Sequence, residues 1–127
     1  MSIWTHITGT IRIDDFDTMS NLSNIFIRDT WHNRNKNGNL PSGSEGSIDV
    51  EIIERNEEGT EYMKTVAFFG DLRDFDSHKC QEVKKWWFEI PNRLKSGYVR
   101  QAVLQVQCED GYECILTEKD MNLKTED

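Results

Sequence analysis

The first residues of the chain alternate between apolar and polar side chains with a period of two. One side of residues 3 to 13 carries Ile3, Ile7, Ile11 and Ile13. The other side carries Trp4, His6, Thr8, Thr10 and Arg12. Because successive side chains of a strand point to opposite faces, this pattern predicts a strand with one apolar face and one mixed face.

The next segment changes to helical spacing and then loses its apolar residues. Apolar side chains recur every three or four positions at Met19, Leu22, Ile25 and Phe26. This spacing predicts a helix from about residue 17 to 29, with Asp15 and Asp17 favourable near its N-terminus. Residues 32 to 47 are rich in Asn, Gly, Pro and Ser, which predicts a long loop.

A hairpin is predicted in the middle of the chain. Ile48, Val50 and Ile52 alternate with acidic residues, and Asn56-Glu57-Glu58-Gly59 offers a turn into the run TEYMKTVAFFG. If those four residues form the loop, Ile52 faces Met63 and Glu51 faces Lys64. Apolar residues then share a face and opposite charges pair, which favours this register.

A second helix is predicted after this hairpin. Its apolar stripe consists of Val83, Trp86, Trp87 and Ile90. Asp74, Asp76 and Ser77 are candidate N-cap residues, and Pro91 is expected to end the helix.

The last two strands are predicted around Glu109-Asp110-Gly111. A three-residue loop with Gly111 in the left-handed region places Leu104, Val106 and Cys108 on the same face as Tyr112, Cys114 and Leu116. A two-residue Asp-Gly turn is the alternative, but it would align polar with apolar partners.

These elements together predict a ferredoxin-like α+β fold, a βαββαβ two-layer sandwich with an extra C-terminal strand. Both helices would then cover one face of an antiparallel sheet. We expect a single domain over residues 1–117. Residues 118–127 are polar, which predicts a fraying tail.

Composition and charge exclude several classes of function. The 127 residues carry 15 Lys and Arg against 23 Asp and Glu, a net charge of −8, which opposes direct nucleic-acid binding. No apolar run approaches the roughly 20 residues that span a bilayer, so we expect no membrane partner. The start lacks a secretory or transit pattern, which predicts a cytoplasmic protein.

The three cysteines suit a reducing compartment, because one of them stays unpaired in any disulfide scheme. In the favoured hairpin register Cys108 and Cys114 are diagonal, which predicts buried thiols along with Cys80. A five-residue loop would place Cys108 and Cys114 opposite each other, so a disulfide stays open as an alternative.

No motif predicts catalysis, a metal site or a cofactor. His78 and Cys80 form a solitary H-x-C pair, and His6, His32 and His78 lie outside any nucleophile motif. The carboxylates Asp71, Asp74 and Asp76 are close in sequence but lack the spacing of a calcium loop. Arg73 can neutralise them and Asp76 can cap a helix, so we expect a structural role.

The sheet face opposite the helices is the candidate binding surface. The alternation assigns Met63, Ala67 and Phe69 to the helix side together with the isoleucines. The opposite face then collects Trp4, His6, Arg12, Ile53, Tyr62, Val66 and Phe68. Such an aromatic and charged set is typical of a patch that binds another molecule. Coverage of this face by the tail or the long loop is the alternative that requires no partner.

Stacking of RNA bases on such aromatics is a second alternative, which would require a local basic area at Arg12, Arg28, Arg34 and Lys36. The net charge of −8 opposes RNA binding, so a protein partner or self-association is favoured. We therefore predict partner-binding residues on the open face and in the adjacent acidic cluster: Trp4, His6, Arg12, Tyr62, Phe68, Asp71 and Asp74.

The segments WTHITGTIRID, LPSGSEGS, FFGDLRDF and WWFEI together resemble small uncharacterised proteins of bacteriophages and mobile elements of Gram-positive bacteria. The resemblance covers most of the chain. It implies an inhibitor of host machinery, a class that includes anti-CRISPR proteins, acting in the bacterial cytoplasm. Acidic clusters could steer such a protein onto a basic, nucleic-acid-binding host factor.

The sequence therefore predicts a non-enzymatic, acidic, phage-type protein that inhibits or sequesters a host factor without a cofactor. One alternative is a sponge for a nucleotide-like signal, using Trp31, Arg34 and Lys36 of the long loop. A second alternative is a metal-assisted hydrolase built on Asp71, Asp74 and Asp76.

Overall fold

The computed structural model describes residues 2–15, 26, 40–54, 57–60, 62–94 and 97–123. These residues form five strands, which are β1 (Trp4–Asp15), β2 (Ile48–Glu54), β3 (Met63–Arg73), β4 (Gly97–Cys108) and β5 (Glu113–Thr117). Helix α1 (Cys80–Arg93) connects β3 to β4, and a 3-10 helix (Glu118–Asp120) follows β5. None of the described helical segments is long and apolar enough to cross a membrane.

The strands form one antiparallel sheet in the order β2-β3-β1-β4-β5. β1 lies at the centre, where its alternating apolar positions pair on one side with β3 and on the other with β4. Gly9 sits at the midpoint of β1, opposite Phe68 and Leu104. A Cβ atom at Gly9 would collide with the backbone of β4, so glycine is required where these two strands approach.

Helix α1 covers one face of this sheet. Its apolar stripe of Val83, Trp86, Trp87 and Ile90 is buried, because these positions recur on one side of the helix. The ring of Phe68 from β3 packs edge-on against Trp86, with 5.4 Å between ring centroids. Burial of each large side chain of this kind contributes about 1.5–3 kcal/mol. The helix therefore anchors the sheet mainly through its tryptophans.

The predicted ferredoxin-like βαββαβ sandwich is wrong. The described residues form a predominantly β structure, a five-stranded antiparallel sheet with a single α-helix, instead of a layer of two helices. The helix predicted from about residue 17 to 29 lies outside the described residues, apart from Phe26. The ring of Phe26 contacts Phe68 at a centroid distance of 5.5 Å and is part of the core.

The predicted register of the β2–β3 hairpin is also wrong. Ile52 pairs with Val66, three positions further along β3 than the predicted partner Met63. The connection contains two consecutive turns, because the Thr60 amide donates to the Glu57 carbonyl and the Met63 amide donates to the Thr60 carbonyl. An odd shift moves every side chain of a strand to the other face. The side chains of β3 are therefore inverted relative to the prediction.

The predicted β4–β5 hairpin is confirmed. Gly111 has a φ of +102°, and the amide of Cys108 donates to the carbonyl of Tyr112 across a three-residue loop. Leu104 pairs with Leu116 and Val106 with Cys114. The described cysteines are free thiols, of which Cys80 and Cys108 are buried and Cys114 is half-buried.

The end of helix α1 and the C-terminal segment both differ from the prediction. Helix α1 continues through Pro91 to Arg93 instead of ending at the proline. The segment predicted as a fraying tail forms the 3-10 helix with a capping box between Thr117 and Asp120. Met121 is buried in the core beyond it, and the amide of Asn122 donates to the carbonyl of Phe88. These contacts order residues 118–123, whereas residues 124–127 lie outside the described residues.

Candidate docking face and the Trp4–Phe69 pocket

The sheet face opposite α1, called the open face below, is organised in rows that cross the strands. Strand pairing defines three neighbouring rows. They are Asp71–His6–Gln107–Glu113, Asp49–Phe69–Thr8–Gln105–Ile115 and Glu51–Ala67–Thr10–Val103–Thr117. Phe69 is 47% exposed and Ile115 is 63% exposed. The rows place exposed apolar side chains on a polar face, with carboxylates on both outer sides.

The structure brings four of the predicted binding residues to the open face or its edge. Trp4, His6 and Arg12 lie on β1, and the pairing of His6 with Asp71 places Asp71 beside them on β3. Arg12 lies near the opposite end of β1 and its Nε atom is buried without a hydrogen-bond partner. Trp4, His6 and Asp71 are therefore neighbours, and Arg12 is separate from them.

Three other predicted residues lie elsewhere. Phe68 is buried against α1, which corrects its assignment to the open face, and Val66 is buried on the same side. Tyr62 precedes β3, and its carbonyl accepts a hydrogen bond from the amide of Asp15. Asp74 follows β3 with a φ of +55° and accepts a hydrogen bond from the Ser44 hydroxyl at 2.6 Å.

Phe69 is a functional candidate that the predicted register places on the wrong face of the sheet. The alternation predicts that Phe69 faces the helix, whereas it lies on the open face beside the Trp4 end of β1. The local sequence gives no signal for this choice, because Phe68 and Phe69 are both aromatic and either can face the core. The long-range pairing of β3 with β1 decides it.

His6 is held between two carboxylates. Its Nδ1 atom lies 2.5 Å from Asp71 Oδ1, and its Nε2 atom lies 3.1 Å from Glu109 Oε2. Glu109 also accepts from the Trp4 amide through its Oε1 atom. The hydrogen bonds to Asp71 and Glu109 raise the pKa of His6 above 6.5. Both ring nitrogens are donors in the protonated form, so this arrangement favours the imidazolium.

A cavity of about 460 Å³ opens beside His6. Its principal side chains are those of Trp4, His6, Ser47, Asp49, Phe69 and Asp71, and this cavity is called the Trp4–Phe69 pocket below. Its volume is within the range of about 300–1,000 Å³ that is usual for ligand pockets. Aromatic rings and carboxylates therefore converge on one concave site.

The loop before β2 forms one side of this pocket. The Ser44 amide donates to the Arg73 carbonyl at 2.9 Å, and the Arg73 amide donates to the Glu45 carbonyl at 3.0 Å. The guanidinium of Arg73 also binds Glu45 Oε1 at 2.6 Å. Gly46 has a φ of +76° and lies beside the ring of Trp4. The loop is thus fastened to the end of β3.

The three carboxylates of the metal-hydrolase alternative each take part in another contact. Asp71 binds His6, Asp74 binds Ser44, and Asp76 Oδ1 accepts from the amide of Lys79 before α1. Within the described ranges, no group of three or more His, Cys, Asp or Glu side chains could hold a metal ion. The loop residues of the nucleotide-sponge hypothesis, Trp31, Arg34 and Lys36, lie outside the described residues, as do Arg28 and His32.

Comparisons of the chain with protein-family models, with curated proteins and with solved structures find no match.

Proposed function

We propose that this protein is a non-enzymatic binding protein that holds a basic protein partner on its open face. The observation that carries the proposal is the row arrangement, in which exposed apolar side chains share one face with carboxylates of the outer strands β2 and β5. Phe69 and Ile115 belong to one row, which begins at Asp49 on β2. Apolar contacts supply affinity in a protein interface, whereas peripheral charges select the partner and speed its association.

The charge of the open face supports a basic partner. The carboxylates of Asp49, Glu51 and Glu113 lie at the outer strands of the rows. On β3, the cation of Arg73 is already paired with Glu45. With a net charge of −8, a second copy of the chain or a nucleic-acid backbone would be repelled. A host factor that itself binds nucleic acid is basic, and its sequestration agrees with the phage-type resemblance.

The test begins with affinity purification from a bacterial lysate at low and high salt, with identification of each captured protein by mass spectrometry. The purified candidate is then titrated against the wild type, Ile115→Lys and Phe88→Lys. Phe88 is an exposed aromatic residue of α1, on the other side of the molecule, so its variant is the matched control.

We expect Ile115→Lys to weaken binding at least tenfold, because it places a cation against a basic surface, and Phe88→Lys to leave binding unchanged. High salt should weaken binding by the wild type. The proposal is wrong if Phe88→Lys removes binding while Ile115→Lys does not, or if the captured protein is acidic and its binding is insensitive to salt.

A further inference from the structure

We infer that the Trp4–Phe69 pocket receives an arginine side chain of the partner. The inference rests on the function proposed above, because it names the chemical group that the open face recognises. The pocket differs from the rest of this face in combining a concave shape, aromatic rings and carboxylates at one place.

The aromatic residues make the pocket suitable for a cation with a flat, weakly hydrated surface. Trp4 and Phe69 line it from neighbouring strands, and the π-face of an aromatic ring attracts a cation within about 6 Å of its centre. A guanidinium is planar and stacks on such rings, whereas the ammonium of lysine is compact and strongly hydrated. This difference favours arginine over lysine.

The charges of the pocket also favour a cation. His6 contributes one positive charge when protonated, but it is shared between Asp71 and Glu109. Asp49 also lines the pocket, from β2. The net charge of His6, Asp71 and Glu109 is therefore negative, and it repels phosphate and carboxylate ligands. A carboxylate can also accept two parallel hydrogen bonds from a guanidinium.

Contacts within the chain hold the walls of the pocket in place. His6 is fixed by hydrogen bonds to Asp71 and Glu109. A Cβ atom at Gly70 would collide with the backbone of Ser47, so this glycine allows the loop to approach β3 closely. Such preorganisation lowers the ordering cost that a small group must overcome on binding.

The test uses three blocked pentapeptides that differ at one position, with the sequence Gly-Gly-X-Gly-Gly and X as arginine, lysine or citrulline. Citrulline keeps the shape of arginine but is neutral. Each peptide is titrated into the full chain, and the Trp4 indole and the amides of β1 and β3 are followed by NMR. We expect the arginine peptide to bind at least about tenfold more tightly than the citrulline peptide, and also more tightly than the lysine peptide.

Two pairs of variants locate the binding. Phe69→Ala should weaken the arginine peptide several-fold, whereas Phe88→Ala, at a residue of similar exposure on α1, should not. Asp71→Asn should weaken it, whereas Glu82→Gln, which removes the same charge from the first turn of α1, should not. Thermal unfolding of each variant shows whether it is folded.

Equal binding of the citrulline or lysine peptide overturns the assignment to arginine, and so does an equal loss in Phe69→Ala and Phe88→Ala. Absence of any shift with the arginine peptide overturns it as well. The broader proposal is tested separately by Ile115→Lys, which lies outside the pocket. If Ile115→Lys weakens the protein partner but Phe69→Ala and Asp71→Asn do not, the open face binds the partner without this pocket.

Discussion

Phe68 and Phe69 are neighbours in β3 but lie on opposite faces of the sheet. The ring of Phe68 is 2% exposed and contacts Phe26, Trp86 and Trp87, whereas Phe69 is 47% exposed beside the pocket. The pleat of a strand explains the division, because successive side chains alternate between faces. One aromatic residue therefore serves the core and the next serves the candidate binding surface.

Substitution of Phe68 should lower stability much more than substitution of Phe69. We expect Phe68→Ala to lower the free energy of unfolding by about 3–5 kcal/mol, because it leaves a cavity between β3 and α1. Phe69→Ala should change it by less than about 1 kcal/mol, since the side chain is half exposed. Urea denaturation measures both values. Equal losses in the two variants would contradict the assignment of faces.

The carboxylates around His6 should give stability a defined pH dependence. Because the folded-state pKa of His6 is raised above 6.5, its contribution is complete below pH 6.5 and is lost as the pH rises through the raised value. The pKa of Glu109 is lowered, first by the hydrogen bond from His6 and then by that from Trp4, so its contribution is lost as the pH falls below 4.5.

NMR titration of the His6 imidazole checks this directly, and the pKa should fall in Asp71→Asn. Thermal unfolding at several pH values should show a smaller alkaline decline in His6→Gln than in the wild type. A His6 pKa at or below 6.5 would show that the two hydrogen bonds do not hold the proton.

The thiols should differ in reactivity. Burial raises the pKa of the Cys80 thiol to about 11, and the neighbouring Cys108 adds to the increase. The thiolate is the reactive form, so Cys80 should react slowly with iodoacetamide. We expect the half-buried Cys114 to be alkylated first in the native protein, with all three thiols reacting at similar rates in urea. Peptide mass spectrometry over time gives the order, which native modification of Cys80 before Cys114 would contradict.

Two glycines provide a test of strand packing. Gly59 has a φ of +85° and open space where a Cβ atom would lie, so Gly59→Ala should cost only about 1–2 kcal/mol for the left-handed backbone. Gly9→Ala should cost more, because its Cβ atom would meet the Val103 carbonyl and the Cα atom of Leu104. Thermal unfolding compares the two variants. A milder effect at Gly9 would mean that β1 and β4 can separate without penalty.

Local patterns are sufficient to predict some elements. The alternation of β1, the apolar stripe of α1 and the three-residue loop ending at Gly111 are each encoded within a few residues, and all three are confirmed. The burial of Met121 is not predictable in this way, because Met121 and Leu123 are too few apolar residues in a polar segment to define a period, and Leu123 is exposed.

The candidate site depends on information that local patterns do not contain. Asp71 and Glu109 are 65 and 103 residues away from His6 in the chain, and strand pairing brings them together. The aromatic side of the pocket requires that Phe69 and not Phe68 faces outward, which the pairing of β3 with β1 decides. If the predicted register of a hairpin is shifted by an odd number of residues, the side chains of one strand are assigned to the wrong face. The site residues are then missed even when both strands are correctly predicted.

The side chain of Glu118 also affects how the sheet can grow. Its Oε2 atom accepts the amide of Ala102, a backbone donor of β4 just beyond the end of its pairing with β5. An incoming strand from another molecule would have to displace this charged group before it could extend the β4 ladder. The carboxylate thus occupies a backbone donor that the addition of a further strand at this place would need.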